Sequence, residues 1–296
     1  IDATDPENPV LVDTMHEAGY CLRVRVSDSC LLTAYPSVGI TLLDIQSGAQ
    51  PVLDGNYPVP GDLDRIAVHD NILIVGEDPS GAHLLDISDP STPDKLSFIS
   101  SLAKCYGVAV SGDFLYVADA DSGTGVFDLT DPQTPAEHGR FLSGISDWEV
   151  TSDSAFLCVS AYNTGTTFYR LDDPVHPSKI GTFLASYLAR AACDGHYGYI
   201  AAGLAGFQIV NLTDSAFPFR TGLLQVSGAF NDIALSGDRA YLAHQSVGLL
   251  ITDISNPANL RGVGGCDTDG NAQGIALSSG LAYVADGTNG LQVVDI

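Results

Sequence analysis

This sequence places its scarce cationic side chains at the starts of short predicted strands, where they could bind an anion. Arg23, Arg65 and Arg190 each open such a strand, although the chain has only 12 lysine and arginine residues. Trp148, the one tryptophan, opens another and is followed by Glu149. Guanidinium groups bind carboxylate, sulfate and phosphate in paired hydrogen bonds. The pattern therefore predicts a pocket for a small anionic ligand where these strands begin.

Three further residues complete this predicted pocket. Tyr106 opens a neighbouring strand and offers a ring for stacking, whereas Asp232 and His244 offer polar groups. An enzyme would also need a base within hydrogen-bond reach of a substrate proton. The candidates for that base are Tyr35, Glu149 and His244.

The same charges have a second interpretation that involves no ligand. The arginines could neutralise Asp64, Glu149 and Asp232 and thereby hold neighbouring structural units together. A double substitution separates the two interpretations. Replacing Arg65 and Arg190 with Ala should leave the melting curve of a scaffold nearly intact but should abolish turnover in an enzyme.

Two acidic segments suggest calcium as the only candidate cofactor. Asp119 and Asp121, and likewise Asp267 and Asp269, place carboxylates at alternate positions beside a glycine, and hard oxygen ligands suit Ca²⁺. Neither segment has the full twelve-residue calcium loop, so ordinary Asp-Gly turns are the alternative. The seven histidines show no i, i+2 or i, i+4 pair, and no Cys-x-x-Cys occurs, so no zinc site is predicted.

The elements that position these residues belong to an internal repeat. One anchor position recurs at intervals of about 42 residues with a single one-residue deletion, which is the spacing of propeller blades. The apolar residues run in short β-branched stretches closed by Gly and Asp turns, which favours strands over helices. The anchor residues are Asp2, Asp44, Asp86, Asp128, Arg170, Asn211, Asp253 and Asp295.

The repeat predicts an all-β fold, a seven-bladed β-propeller with four-stranded blades in a single domain, residues 1–296. In the third blade the four strands are expected at 106–111, 114–119, 125–129 and 138–143. The chain begins inside a repeat and stops after a third strand. Residues 9–14 should therefore supply the outer strand of the blade whose other strands lie in 273–296, and this seam should bury two or three aliphatic side chains.

A turn of the form Asp-x-x-Asp-Pro follows the third strand of several repeats. It occurs at 86–90 and 128–132, and with Asn256 in place of the second Asp at 253–257. Asp and Asn cap their own backbone two residues further on, and Pro presets the turn. These acidic residues are therefore predicted to shape turns and not to form a site.

Four segments give the repeat a family resemblance. LQVVDI (291–296), HLLDISDP (83–90), LLITDISNP (249–257) and VFDLTDPQTP (126–135) resemble the LVIVD repeat. The resemblance implies a β-propeller of a kind found mostly in exported or surface proteins of bacteria and archaea. It implies no reaction and no defined ligand.

Composition narrows the classes of partner. The formal net charge of −24 repels nucleic acid and anionic membranes. The sequence has no run of about 20 apolar residues, so no membrane insertion is expected. A first residue that is not Met favours a trimmed, exported chain and hence an extracytoplasmic location.

Two functions remain open on this basis. The first is a non-catalytic extracellular or surface propeller that binds a protein or glycan partner or joins a surface assembly. The alternative is a small-molecule enzyme, such as a lyase, isomerase or hydrolase, with its Arg- and Trp-lined site at the mouth of the axial channel.

The six cysteines are expected to be free buried thiols. Cys158 and Cys193 fall at similar depth in adjacent blades. Their place in the repeat predicts side chains that point the same way around the ring and not towards each other.

Overall fold

The computed structural model describes most of the chain. The described residues are 6–15, 19–36, 38–46, 50–59, 62–78, 81–100, 102, 104–120, 122–142, 146–162, 164–184, 189–214 and 216–296.

Within these residues, 28 strands form seven separate four-stranded antiparallel sheets, the blades of a propeller. Strand β1 (Val10–Met15) joins the last blade. Blade 1 contains β2 (Arg23–Ser27), β3 (Cys30–Tyr35), β4 (Gly39–Asp44) and β5 (Val52–Tyr57). Blade 2 contains β6 (Asp62–His69), β7 (Ile72–Asp78), β8 (Gly81–Asp86) and β9 (Asp94–Ile99). Blade 3 contains β10 (Gly107–Ser111), β11 (Phe114–Ala118), β12 (Thr124–Asp128) and β13 (Ala136–Phe141).

The remaining blades repeat the pattern. Blade 4 contains β14 (Asp147–Ser152), β15 (Phe156–Ala161), β16 (Gly165–Arg170) and β17 (Ser178–Phe183). Blade 5 contains β18 (Arg190–Cys193), β19 (Tyr197–Ala201), β20 (Phe207–Asn211) and β21 (Phe219–Leu224). Blade 6 contains β22 (Phe230–Ser236), β23 (Arg239–His244), β24 (Gly248–Asp253) and β25 (Arg261–Cys266). Blade 7 contains β26 (Gly274–Ser278), β27 (Leu281–Ala285), β28 (Leu291–Asp295) and β1.

The seven-bladed all-β fold and its closure are confirmed. Strand β1 pairs antiparallel with β28, from Val10 opposite Asp295 to Met15 opposite Leu291, one residue later than predicted. The predicted burial at this seam is wrong, because Val10 is 58% exposed and Leu11 38%. Of this strand's apolar side chains, Met15 packs against the core. The outer strand therefore closes the ring mainly through its backbone.

The hydrophobic core lies between blades. One cluster joins Leu31 and Leu43 of blade 1 to Tyr283 and Val293 of blade 7, and each further interface has a similar cluster. The second and third strands of each blade are covered on both faces. For this reason they read as continuous apolar runs and not as alternating ones.

The turns after the third strands behave as the sequence predicts. Asp86 Oδ1 accepts a hydrogen bond of 2.8 Å from the Ser88 N–H, and Asp128 does the same for Thr130. These hydrogen bonds hold the pKa values of Asp86 and Asp128 below the usual value. The repeated acidic residues stabilise turns.

Each of several turns rests on the outer strand of the preceding blade. At Gly55 in β5, a Cβ atom would lie 2.0 Å from the Pro90 carbonyl oxygen of blade 2. In β9, Ser97 Oγ donates a hydrogen bond of 2.6 Å to the Pro132 carbonyl of blade 3. The Asp-Pro turn therefore also fastens one blade to the next.

Candidate functional site

The predicted pocket residues lie on one face of the ring, called here the upper face. Because the four strands of a blade are antiparallel, this face carries the starts of the innermost strands and the ends of the second and outer strands. One repeat position lies at or within three residues of the start of each innermost strand, close to this face. Its seven occupants are Arg23, Arg65, Gly107, Glu149, Arg190, Asp232 and Gly274.

In blades 2, 4 and 6 a β-bulge comes immediately before this position. A bulge inserts one unpaired residue and re-aims the side chains beside it. The residues that follow the bulges are charged in all three blades. The pairing register shifts between Leu63 and Arg65, between Asp147 and Glu149, and between Phe230 and Asp232.

A single carboxylate joins two of the arginines across the channel. Arg65 Nε lies 2.6 Å from Glu149 Oε2, and Arg190 Nη1 lies 2.7 Å from the same oxygen. The three side chains come from blades 2, 4 and 5. The side chain of Arg65 reaches past blade 3, which has Gly107 at this position. A Cβ atom added to Gly107 would lie 2.9 Å from the Cα of Glu149 in blade 4. All three charged residues are at most 4% exposed.

The other two charged side chains of this position bind the opposite side of the ring. Arg23 Nη1 donates hydrogen bonds to the carbonyls of Leu22, at 2.7 Å, and Gln273, at 3.2 Å. Asp232 Oδ2 accepts a hydrogen bond of 3.1 Å from the Ile275 N–H and lies 3.6 Å from Arg25 Nη1. These contacts tie blade 1 to blades 6 and 7. The side chain of Asp64 is outside the described part of the chain.

A cavity lies between the innermost strands, farther from the upper face than this charged repeat position. This cavity has a volume of about 230 Å³ and is lined by the innermost strands of blades 1 to 4, including Arg25, Val108 and Thr151. Because Arg65 and Arg190 are buried against Glu149, replacing them should destabilise the fold even in a scaffold. The double Ala variant is therefore expected to melt at a lower temperature than the wild type whether or not the protein is an enzyme.

Tyr106 and Trp148 form a separate group nearer the solvent. Their rings stack with centroids 4.3 Å apart and planes inclined by 27°. The exposed Lys104 extends beside them, and its Nζ donates a hydrogen bond of 3.0 Å to Tyr106 Oη. Both rings are half-buried, so an aromatic surface with an adjacent cation faces outwards here.

His244, a candidate base, is inside the protein. It is 0% exposed and packs edge-on against Phe230, with ring centroids 4.8 Å apart. Its Nδ1 accepts a hydrogen bond of 3.3 Å from the Ser246 N–H, and burial lowers the pKa of the ring. Tyr35, another of the three candidates, is 1% exposed. The structure therefore separates the predicted residues into a buried charged ring, a half-buried aromatic pair and buried polar side chains.

Four residues that the sequence argument did not single out expose large apolar surfaces on the upper face. Leu142, Tyr162 and Leu184 directly follow the end of a second or outer strand of blades 3 and 4, and Leu204 lies three residues after the end of the second strand of blade 5. The signal that could have found them is an apolar residue in a turn where the other repeats carry small or polar ones. They are Leu142 (66% exposed), Tyr162 (42%), Leu184 (80%) and Leu204 (70%).

The calcium candidates have partners within the protein. Asp119 accepts a hydrogen bond of 2.7 Å from the Lys104 N–H and forms an ion pair with Arg140. Asp267 accepts one of 3.0 Å from the Asp269 N–H, and Asp121 lies outside the described residues. Among the residues that the structure describes, no group of three or more His, Cys, Asp or Glu side chains could hold a metal ion. Calcium binding stays a prediction.

Comparison with protein families identifies the repeat. The model of the LVIVD repeat matches residues 60–98, 104–143, 227–268 and 269–296, just over half of the chain. The chain belongs to the LVIVD-repeat family. A search of curated proteins found no match to this LVIVD-repeat chain.

Solved structures share the fold of this LVIVD-repeat chain at low sequence identity. The β-propeller domain of Cps50 (Swd1) from Myceliophteria thermophila superimposes with a TM-score of 0.79 at 11% identity, over 97% of this chain and 99% of that one. A chain of a mitotic checkpoint complex gives 0.77 at 13%, over 99% and 95%. The computationally designed Ika8 protein gives 0.69 at 11%, over 97% and 99%. These likenesses show the fold alone.

The part of this LVIVD-repeat chain that the structure describes contains no helix long and apolar enough to cross a membrane.

Proposed function

We propose that this LVIVD-repeat propeller is a non-catalytic scaffold that works outside the cytoplasm and binds a protein partner through the upper face of blades 3 to 5. One observation carries the proposal. Large apolar side chains stand in the loops of three consecutive blades on a single face, and Leu184 and Leu204 are 80% and 70% exposed. Soluble proteins keep large exposed apolar surfaces mainly where a partner covers them.

The distribution of charge supports a binding role over a catalytic one. The arginines best suited to hold a substrate, Arg65 and Arg190, are buried in ion pairs with Glu149. Such pairs hold blades together and leave their charges out of reach of solvent. The enzyme alternative would have to open this cluster in order to use it.

The chemistry of the patch favours a partner that is apolar with an acidic edge. Trp148 and Tyr106 supply aromatic surface of the kind that dominates the energy of protein interfaces. Lys104, exposed at their side, places a positive charge on a chain whose formal net charge is −24. An acidic group on the partner would pair with Lys104, and its apolar residues would cover the leucines.

The test uses the single tryptophan as a reporter. A photo-reactive amino acid placed at Leu184 should cross-link one partner in extracts of the source organism, and the same residue placed at Phe217 on the opposite face should not. The identified partner is then purified and titrated against the propeller while the emission of Trp148 is recorded. Binding should change this emission, because the partner covers the tryptophan.

Matched variants decide the outcome. Leu184→Glu with Leu204→Glu should weaken the purified partner's binding at least tenfold, whereas Phe217→Glu should leave it unchanged. Equal binding by all three proteins would overturn the proposed surface. An oligosaccharide that binds the wild type and the leucine variant but not Trp148→Ala would make the ligand a glycan.

The proposed location has its own test. Export is supported by the family resemblance and fits the acidic composition. Cell fractionation of the source organism with an antibody against the propeller should find it outside the cytoplasm. Recovery with cytoplasmic markers would contradict the location and leave the binding surface untouched.

A further inference from the structure

Two cysteine sulfurs face each other across the interface between blades 4 and 5. Cys158 lies in the middle of β15, and Cys193 is the last residue of β18. Their Sγ atoms are 2.6 Å apart. The prediction that these side chains point the same way around the ring is wrong. Strand β15 carries Cys158 on the side that faces blade 5, where Cys193 packs against the same core cluster.

The separation distinguishes this pair from two neighbouring thiols. A disulfide bond is about 2.05 Å long, and two unbonded sulfur atoms stand much farther apart than 2.6 Å. The backbones of β15 and β18 therefore bring the two sulfurs to within a small movement of bonding. Both strands belong to rigid blades, so the approach does not depend on a mobile loop.

We propose that Cys158 and Cys193 form a disulfide that staples blade 4 to blade 5. In the bonding reaction each thiol loses one proton and one electron, and an S–S bond forms. A disulfide oxidant such as glutathione disulfide accepts the two electrons and two protons and leaves as two thiols. A mixed disulfide with one cysteine is the intermediate, and the second cysteine displaces it.

The surroundings make the bond slow to exchange once the blades have closed. Burial first, and then the neighbouring Cys158 and the carboxylates of Asp153 and Asp194, raise the pKa of the Cys193 thiol. The thiolate is the reactive form in disulfide exchange. The folded protein thus holds little of it at neutral pH. Cys158 is 1% exposed, so a soluble reductant can approach the bond only from the side of the partly exposed Cys193. The bond should form while the blades are still open and then persist.

The disulfide between Cys158 and Cys193 would link the two blades that carry most of the candidate binding surface. These are the two blades that present Tyr162, Leu184 and Leu204. Closing the loop between residues 158 and 193 restricts the unfolded chain and so favours the folded one. An oxidising compartment is where such bonds are kept.

The experiment counts thiols in the full-length protein. The chain is unfolded in guanidinium, refolded with a mixture of reduced and oxidised glutathione, denatured again and alkylated with N-ethylmaleimide. Mass spectrometry should find four labelled cysteines, against six after treatment with dithiothreitol, and should find the peptides of Cys158 and Cys193 joined. The oxidised form should melt about 5–10 °C higher than the reduced form.

Single variants provide the controls. Cys193→Ser should show five labelled thiols and no difference in melting temperature between oxidised and reduced samples. Cys30→Ser, a buried cysteine of blade 1, should keep the joined peptides and the difference. Six labelled thiols in the refolded wild type, or joined peptides from other cysteines, would overturn the proposal. The wild-type comparison needs no variant, so a substitution that prevents folding does not prevent the test.

Discussion

Glu149 binds two buried guanidinium groups at one end of the channel. Its Oε2 lies 2.6 Å from Arg65 and 2.7 Å from Arg190, which come from different blades. A buried ion pair adds little stability compared with apolar packing, because both partners lose their hydration. Removing one partner is costly, however, since it leaves the other charge buried without compensation.

Replacing Glu149 should therefore destabilise the propeller strongly. Glu149→Ala leaves two buried cations and is expected to lower the free energy of unfolding by about 3–5 kcal/mol. Urea denaturation followed by circular dichroism measures this. Glu137→Ala, which removes a partly exposed partner of Arg140, should cost less than about 1 kcal/mol. Equal effects of the two substitutions would contradict the structural role assigned to Glu149.

Asp286 gives the stability a pH dependence of its own. Burial, which has the largest effect, and the nearby Asp267 and Asp269 raise its pKa to about 6, although Thr268 donates a hydrogen bond to it. In the unfolded chain this carboxyl group ionises near its usual value of about 3.9. As the pH rises from about 4 through 6, the unfolded state has already released the proton that the folded state still holds. The free energy of unfolding therefore falls as the pH rises through this range, because ionising Asp286 is more costly in the folded state than in the unfolded state.

Asp286→Asn should remove this cost. The variant is expected to match the wild type near pH 4 and to become progressively more stable than it up to pH 7. Because His244 and the other titrating groups are common to both proteins, the difference between their melting temperatures isolates Asp286. A difference that does not change between pH 4 and 7 would rule out the raised pKa.

At the scale of elements, glycines in the outer strands let neighbouring turns approach. Gly55 in β5 is covered by the Pro90 carbonyl, whereas Gly262 in β25 has only a side-chain carbon of Leu250 within 4 Å. Gly55→Ala must push two backbones apart, and overpacking of this kind costs about 1–3 kcal/mol. Gly262→Ala, also in an outer strand, should leave the free energy of unfolding in urea within about 0.5 kcal/mol of the wild-type value. Equal losses of unfolding free energy in both variants would show that the close approach of Gly55 to Pro90 does not hold the two blades together.

The strands and turns were predictable because each depends on nearby residues. The inner strands of blade 3 begin and end within one residue of their expected limits, whereas its outer strand lies at Ala136–Phe141 and not at 138–143. A bulge against the third strand lies between Glu137 and Gly139 of this outer strand. A glycine stands at the same bulge in β5, β17, β21 and β25, and the sequence argument did not use this signal.

The candidate site was predictable only as a set of residues. Their types place the arginines and Glu149 at one end of the channel, but the pairing of Arg65 with Glu149 depends on a bulge and on the missing side chain of Gly107. The exposed Leu184 and Leu204 follow strand ends, so their positions were visible in the sequence. Their exposure depends on the path that each turn takes, which the residue types alone do not fix.

For the whole molecule, the seam in blade 7 decides whether the ring stays closed. β1 covers the edge of β28 through five paired positions, mainly by backbone hydrogen bonds. Deleting residues 1–15 should leave β28 as a free edge, and free edges invite pairing with other chains. Light scattering after size exclusion should show oligomers, and the melting temperature should fall by several degrees. A monodisperse truncated protein that melts like the wild type would show that the outer strand is dispensable.

The seam has a further consequence for how the chain can be rewired. In blade 6, residues 254–260 connect the third strand to the outer strand. In blade 7 the corresponding strands, β28 and β1, are not joined by such a connection, so the ring does not depend on which two strands hold the chain ends. A circular permutant that joins Ile296 to Ile1 and starts instead in the turn after β12 should reach the same native structure. Its circular dichroism spectrum and the emission of Trp148 should match those of the parent.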